Sequence, residues 1–459
     1  MTTATTNAPV DEIRDDAARH FWPHSKAAGD MQQSSGLQLV TGGEGVWVND
    51  VEGNRWFDTL SGLWLVNIGH GRREIADAVH HQMLQLSFSP HDTVSPATAT
   101  LSSRLANMSS DPDTRTYFTS GGSEAVETAL KLAKNYHRVN GEPGRWKVIS
   151  RRGSYHGSTQ ACTSLGRGGG HGQSIPVDFG PLVPGNLHVP GPDEYRCSYC
   201  ADSGQCNLMC ATEVERTIEH EGAGTVAAFI GEPISAASGI HIPHPEYWPT
   251  IREICDKTGV LMICDEVITG FARTGKMFAT EHWGVTPDIR TVAKALTSGY
   301  FPIGGVMAGG KVSQAFTEAG ATFAHLVTFG GNPPAAAAAH ANLDIMVEED
   351  FVERSATMGT YLYEQLKSLL DLPIVGQVRG GLGLLAAIEL VQDRSTKTRF
   401  PKSAKLDKVA VKAMRKHGML GRAGDVIPIA PPLCITESEI DEAVSRLRLV
   451  ITDIATELR

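Results

Sequence analysis

Between residues 146 and 310, apolar runs recur at strand length: "WKVIS", "TVAAFIGEP", "GVLMICDEV" and "IGGVMAGG". Helix-patterned stretches such as "YWPTIREICDKTG" lie between some of them. Runs this uniformly apolar read as strands covered on both faces, and strands alternating with helices build a mostly parallel sheet. The fold class is therefore α/β. Such sheets place ligands at the carboxyl ends of their strands.

The rest of the chain sorts around this unit. "GVWVNDVEGNRWFD" (45 to 58) reads as a hairpin, alternating on either side of a Gly turn. "EAVETALKLAKNYHR" (124 to 138) has helical spacing, with Ser123 as its N-cap. After about residue 345 the pattern changes. A helix-like stretch (344 to 370) precedes "VRGGLGLLAAIELV", "LDKVAVKAMRKHG" and "ESEIDEAVSRLRLVITDIATEL", an order that fits a smaller α+β domain. The expected division is an N-terminal arm and hairpin (1–70) that pack with the small domain, a large domain (71–345), and the small domain (346–459). With 51 acidic against 41 basic residues the formal net charge is −10, which argues against nucleic acid or a membrane surface as partner. No apolar run reaches the roughly 18 residues of a membrane span. The first 22 residues lack the apolar stretch of a signal peptide, so a cytoplasmic location is expected.

Three stretches carry chemistry. "LMICDEV" ends an apolar strand in acids, so Asp265 should emerge at a carboxyl end. Lys294 follows 29 residues later, about one strand–helix–strand excursion. It sits in "TVAKALTSGYFPIGG", where no other strong acid or base occurs between Arg290 and Lys311. A lysine stripped of water is costly to keep charged, and it becomes available as a neutral amine. "FTSGGSEAVETAL" runs through Gly121, Gly122 and Ser123 into a helix, where backbone amides can cradle a phosphate. It is neither a dinucleotide fingerprint nor a P-loop. "SYHG" adds an aromatic, Tyr155. Each alone has an ordinary structural reading. Together they suit a ligand with a phosphate, a flat ring, a basic ring nitrogen and a carbonyl. Pyridoxal 5'-phosphate has all four: Lys294 would join the carbonyl, Asp265 would pair with the ring nitrogen, and Tyr155 would cover the ring.

With these residues in place, the sequence resembles the class III aminotransferases, or ω-transaminases, of pyridoxal-phosphate fold type I. The likeness covers nearly the whole chain, including "LSGLWLVNIGHG", "DEVITGFARTGK", "PDIRTVAKALTSGYFPIGG", "TFGGNP" and "APPLCIT". Ala272 departs from the family's usual Gly. The resemblance implies a seven-stranded, mostly parallel sheet in the large domain. It implies Lys294 as catalytic, with Gly122, Ser123, Tyr155, Asp265, Val267 and Thr328 as further cofactor contacts. Val267 would pack opposite Tyr155, and Thr328 would reach the phosphate of a partner subunit in a homodimer or a tetramer. Leu63 and Trp64 would wall the substrate pocket, and Arg422 would bind a substrate carboxylate. "SFSPHD" lacks the paired aromatics that some amine transaminases carry in this loop, so the pocket is expected to differ there, around Phe88 and His91. The implied reaction moves an amino group from a primary amine or ω-amino acid to a keto acid, pyruvate, by a ping-pong cycle. The alternatives are another enzyme of the same fold (mutase, racemase or decarboxylase) or a non-catalytic metal-binding sensor.

"CSYCADSGQCNLMC" places Cys197, Cys200, Cys206 and Cys210 within 14 residues, in an insert spanning 195–212. Four thiols so close invite a soft metal, and one irregular loop suits an iron–sulfur cluster, with zinc as the alternative.

Overall fold

The structure, a computed structural model, describes residues 9–24, 38–90, 92–166, 179–197, 199–200 and 205–458. His91 lies outside the described residues. Seven strands form the large sheet, in the spatial order Arg115–Thr119, Gly304–Ala308, Ile289–Val292, Leu261–Asp265, Val226–Gly231, Lys147–Arg151, Asn186–Val189. Only Gly304–Ala308 runs antiparallel to its neighbours. The four apolar runs quoted first above are all strands of this sheet, so the α/β expectation with a seven-stranded, mostly parallel sheet holds.

Burial on both faces explains their composition. Every residue of Val226–Gly231 and Leu261–Asp265 is buried. Successive side chains alternate between faces. Ala228, Ile230, Leu261 and Ile263 pack with Ala125, Val126 and Ala129 of the helix Gly122–Val139. Phe229, Met262 and Cys264 pack with Trp248 and Ile251 of the helix Tyr247–Thr258.

A second, antiparallel sheet joins Val375–Gly381, Gly383–Leu390 and Val426–Ile429. Helices Phe351–Lys367, Leu406–Lys416 and Glu437–Glu457 accompany it. The stretch 344 to 370 is not one helix. Pro333–Glu348 ends before Asp350, whose φ of 48° is left-handed, and Phe351–Lys367 begins anew. The hairpin is Trp47–Asp50 against Arg55–Asp58. Its second strand pairs in parallel with Met419–Leu420, so segments from the first and last parts of the chain share one small sheet.

Candidate functional site

The carboxyl ends of the parallel strands converge on one cavity of about 130 Å³. It is lined by Gly122, Ser123, Tyr155, His156, Gly157, Glu232, Ile234, Asp265, Val267, Ile268, Thr269 and Lys294. Asp265 is the last residue of its strand, Glu232 follows the strand Val226–Gly231, and Lys294 lies two residues beyond Ile289–Val292. Parallel pairing alone brings these ends side by side.

Lys294 has a left-handed φ of 46° and belongs to a short 3-10 turn. Such backbone strain persists where surrounding structure enforces it. Burial pushes its amine down to about 8, against the pull of Asp265 and Glu232, and the charge of Arg422 adds to the lowering. No described carboxylate stands within ion-pair distance of Nζ. Asp265 is held by three donors: Thr291 Oγ1 (3.1 Å) and the Val267 amide (3.2 Å) donate to Oδ1, and His156 Nδ1 lies 2.7 Å from Oδ2. Burial raises the carboxyl of Glu232 despite His156 and Arg151 nearby. It accepts from the amides of Tyr155 (3.3 Å) and Ala236 (3.2 Å).

The phosphate-loop residues differ from expectation in one respect. The helix starts at Gly122 after Gly121, and Ser123 makes no cap bond. Its Oγ instead accepts from the Ser158 amide at 3.0 Å, joining this loop to the one after Tyr155. A Cβ on Gly122 would stand 3.0 Å from Val267 Cγ1, so glycine keeps the two sides of the cradle close.

The family model for "Aminotransferase class-III" matches residues 29–451. The chain belongs to the class III aminotransferases. A putrescine–pyruvate aminotransferase of Pseudomonas aeruginosa is 36% identical over 464 residues, covering 99% of each chain. A taurine–pyruvate aminotransferase of Bilophila wadsworthia is 36% identical, covering 90% of this chain and 91% of its own. A solved (S)-enantioselective ω-transaminase of Thermomicrobium roseum superposes with a TM-score of 0.92 at 39% identity, covering 98% of this chain and 100% of its own.

Membership of this aminotransferase family brings pyridoxal 5'-phosphate as cofactor, and the residues present fit it. Buried His156 Nε2 and the cradle of Gly122 leave polar and steric room for a ligand. The donor set, a buried amine, a carboxylate fixed by three contacts and helix-start amides, matches its carbonyl, ring nitrogen and phosphate.

Of the aminotransferase residues expected from sequence, Gly122, Ser123, Tyr155, Asp265, Val267 and Lys294 meet at the cavity. Arg422 is near enough that its charge acts on Lys294 and Tyr155. Thr328 is not at this cavity; it lines a separate one with Ser120, Glu124 and His325. Leu63 is half exposed, and Trp64 is buried in an apolar cluster with Ile234 and Ile268, one layer behind the wall. Phe88 packs edge-on against Phe329. His156 and Glu232 were not among the expected residues, although His156 directly follows Tyr155 in "SYHG".

The metal expectation is not supported. Cys206 is exposed, Cys210 is buried on the helix Met209–Glu221, and Cys197 and Cys200 are half-buried. The bond with Cys197 pushes Cys200 up to about 11, and burial does the same to Cys210. Among the described residues no group of three or more His, Cys, Asp or Glu could hold an ion, so neither an iron–sulfur cluster nor zinc is assigned. Among the described residues, no helix is long and apolar enough to cross a membrane.

Proposed function

We propose that this aminotransferase moves an amino group from a primary amine or ω-amino acid to pyruvate, by ping-pong turnover. When bound, the cofactor supplies a carbonyl that takes the amino group and a ring that draws electrons from the carbon being deprotonated. Lys294 Nζ takes the proton from that carbon and returns it at the cofactor, a role suited to an amine titrating near 8. Asp265, held in place by His156, Thr291 and the Val267 amide, would pair with the ring nitrogen. Tyr155 and Val267 orient the ring from its two faces. Gly122 and Ser123 bind the phosphate.

The observation that carries the substrate reading is Arg422, half-buried and within electrostatic reach of Lys294. A guanidinium there is suited to a carboxylate such as pyruvate's. The pyruvate-dependent relatives support the same acceptor. A panel of primary amines should give alanine from pyruvate. Arg422→Ala should raise KM for pyruvate about tenfold or more, on the scale of a lost charge-assisted contact, and leave KM for a simple amine within about twofold. An unchanged pyruvate KM, or no alanine from any amine, contradicts the reading.

The same reading makes the working unit a homodimer in which Thr328 serves the partner's phosphate site. Thr328 is exposed, beside exposed Leu326 and Phe329. Clustered apolar exposure of this kind marks an interaction surface.

A further inference from the structure

Arg273 is fully buried, and among the described residues no carboxylate hydrogen-bonds it. Nη1 donates to Leu384 O (3.0 Å) and Pro431 O (2.7 Å). Nη2 donates to Ser61 Oγ (2.9 Å) and Asn67 Oδ1 (2.6 Å). Burial pushes the guanidinium down to about 9, with Asp58 pulling the other way, so it is charged at neutral pH. A buried charge of this kind stabilises weakly or not at all compared with apolar packing. Its use must lie in what it holds.

It holds an unusual turn. Ser61, Gly62 and Trp64 all have left-handed φ, at 48°, 65° and 65°. For Ser and Trp that conformation is strained and persists only when enforced from outside. Arg273 grips the turn at Ser61 and Asn67, and Ser61 Oγ donates onward to Ala430 O at 2.7 Å. Asp58 grips it from the other side, accepting from the amides of Leu60 (3.1 Å) and Gly62 (2.6 Å). The turn places Trp64 against the cluster of Ile234 and Ile268, which line the cavity. Just beyond it, the Ile68 amide donates to Ser298 Oγ (3.3 Å) and Gly69 O accepts from Tyr300 OH (2.9 Å). Those two partners sit in the loop that follows Lys294.

We infer that Arg273 is a positioning residue: it enforces the left-handed turn Ser61–Trp64 and so sets the wall against which the amine substrate's side chain lies. The kinetic part of this inference rests on the transamination reading above. Arg273→Lys keeps charge but cannot reach four acceptors. Ser61→Ala removes one acceptor and keeps the core intact. In cofactor-free protein, amide exchange over residues 58–68 should speed up at least tenfold in either variant while the seven-stranded sheet keeps its protection. In the loaded enzyme, KM for a bulky arylalkyl amine should change at least fivefold, with KM for a short linear amine and kcat within twofold. Exchange that is unchanged over 58–68, or raised equally throughout the chain, overturns the positioning role. So does a KM change that is equal for large and small amines. If wild-type enzyme turns over no amine, the transamination reading fails and the exchange result alone decides the role of Arg273.

Discussion

Lys294 concentrates the chemistry in one side chain. Its ordinary value of 10.5 falls to about 8 because the folded chain strips water from the ammonium. Between those values the unfolded chain holds a proton that the folded one has released. Unfolding free energy from this residue therefore rises with pH across that window, by about 1.4 kcal/mol per unit at most. Below about 8 both states are protonated, and the cost of burying the charge is fully felt. Denaturant titrations of cofactor-free wild type and Lys294→Ala should show their difference closing from pH 8 to 10.5 in favour of wild type; a flat difference contradicts the burial argument. Lys294 and Asp265 were legible in the sequence because each interrupts an apolar run. His156 and Glu232 were not, because their importance comes from strand ends that meet only in the folded sheet.

Elements were legible where burial is two-sided. Val226–Gly231 is apolar throughout and is followed by Glu232, and Leu261–Asp265 is apolar up to its final acid. The 344–370 stretch misled because helical periodicity runs on through Asp350, whose left-handed φ breaks the helix without Pro or Gly. Ser123 looked like a cap because its position before an apolar helix is right, yet its hydroxyl serves the loop after Tyr155. That loop approaches very closely. Gly157 has φ 127°, and a Cβ there would lie 2.5 Å from Ser123 Oγ and 2.9 Å from its Cα. Gly157→Ala should cost roughly 1–3 kcal/mol of stability from strain alone and weaken cofactor binding by displacing Ser123. Calorimetry and a cofactor titration read both; a variant with unaltered affinity would detach this contact from the phosphate site. The cysteine-rich loop shows the limit of spacing arguments, since among the described residues no group of three or more His, Cys, Asp or Glu could hold an ion.

At the scale of the whole molecule, segments more than 360 residues apart in sequence meet in one small sheet. Arg55–Asp58 pairs with Met419–Leu420 through only two residue pairs, too short a signal to read in advance. Arg273 and the turn Ser61–Trp64 are products of the same long-range assembly. The proposed homodimer makes a prediction of its own. Lys294→Ala and Thr328→Ala chains, each impaired alone, should recover activity when co-expressed, because one site of each mixed dimer then has both residues. Activity no higher than the sum of the separate variants would place Thr328's role within its own chain.

All of this turns on one nitrogen atom. Reduction of the cofactor-loaded protein with borohydride, followed by peptide mapping, should find a single pyridoxyl group, on Lys294. A pyridoxyl group on any other lysine, or on none, would contradict the account.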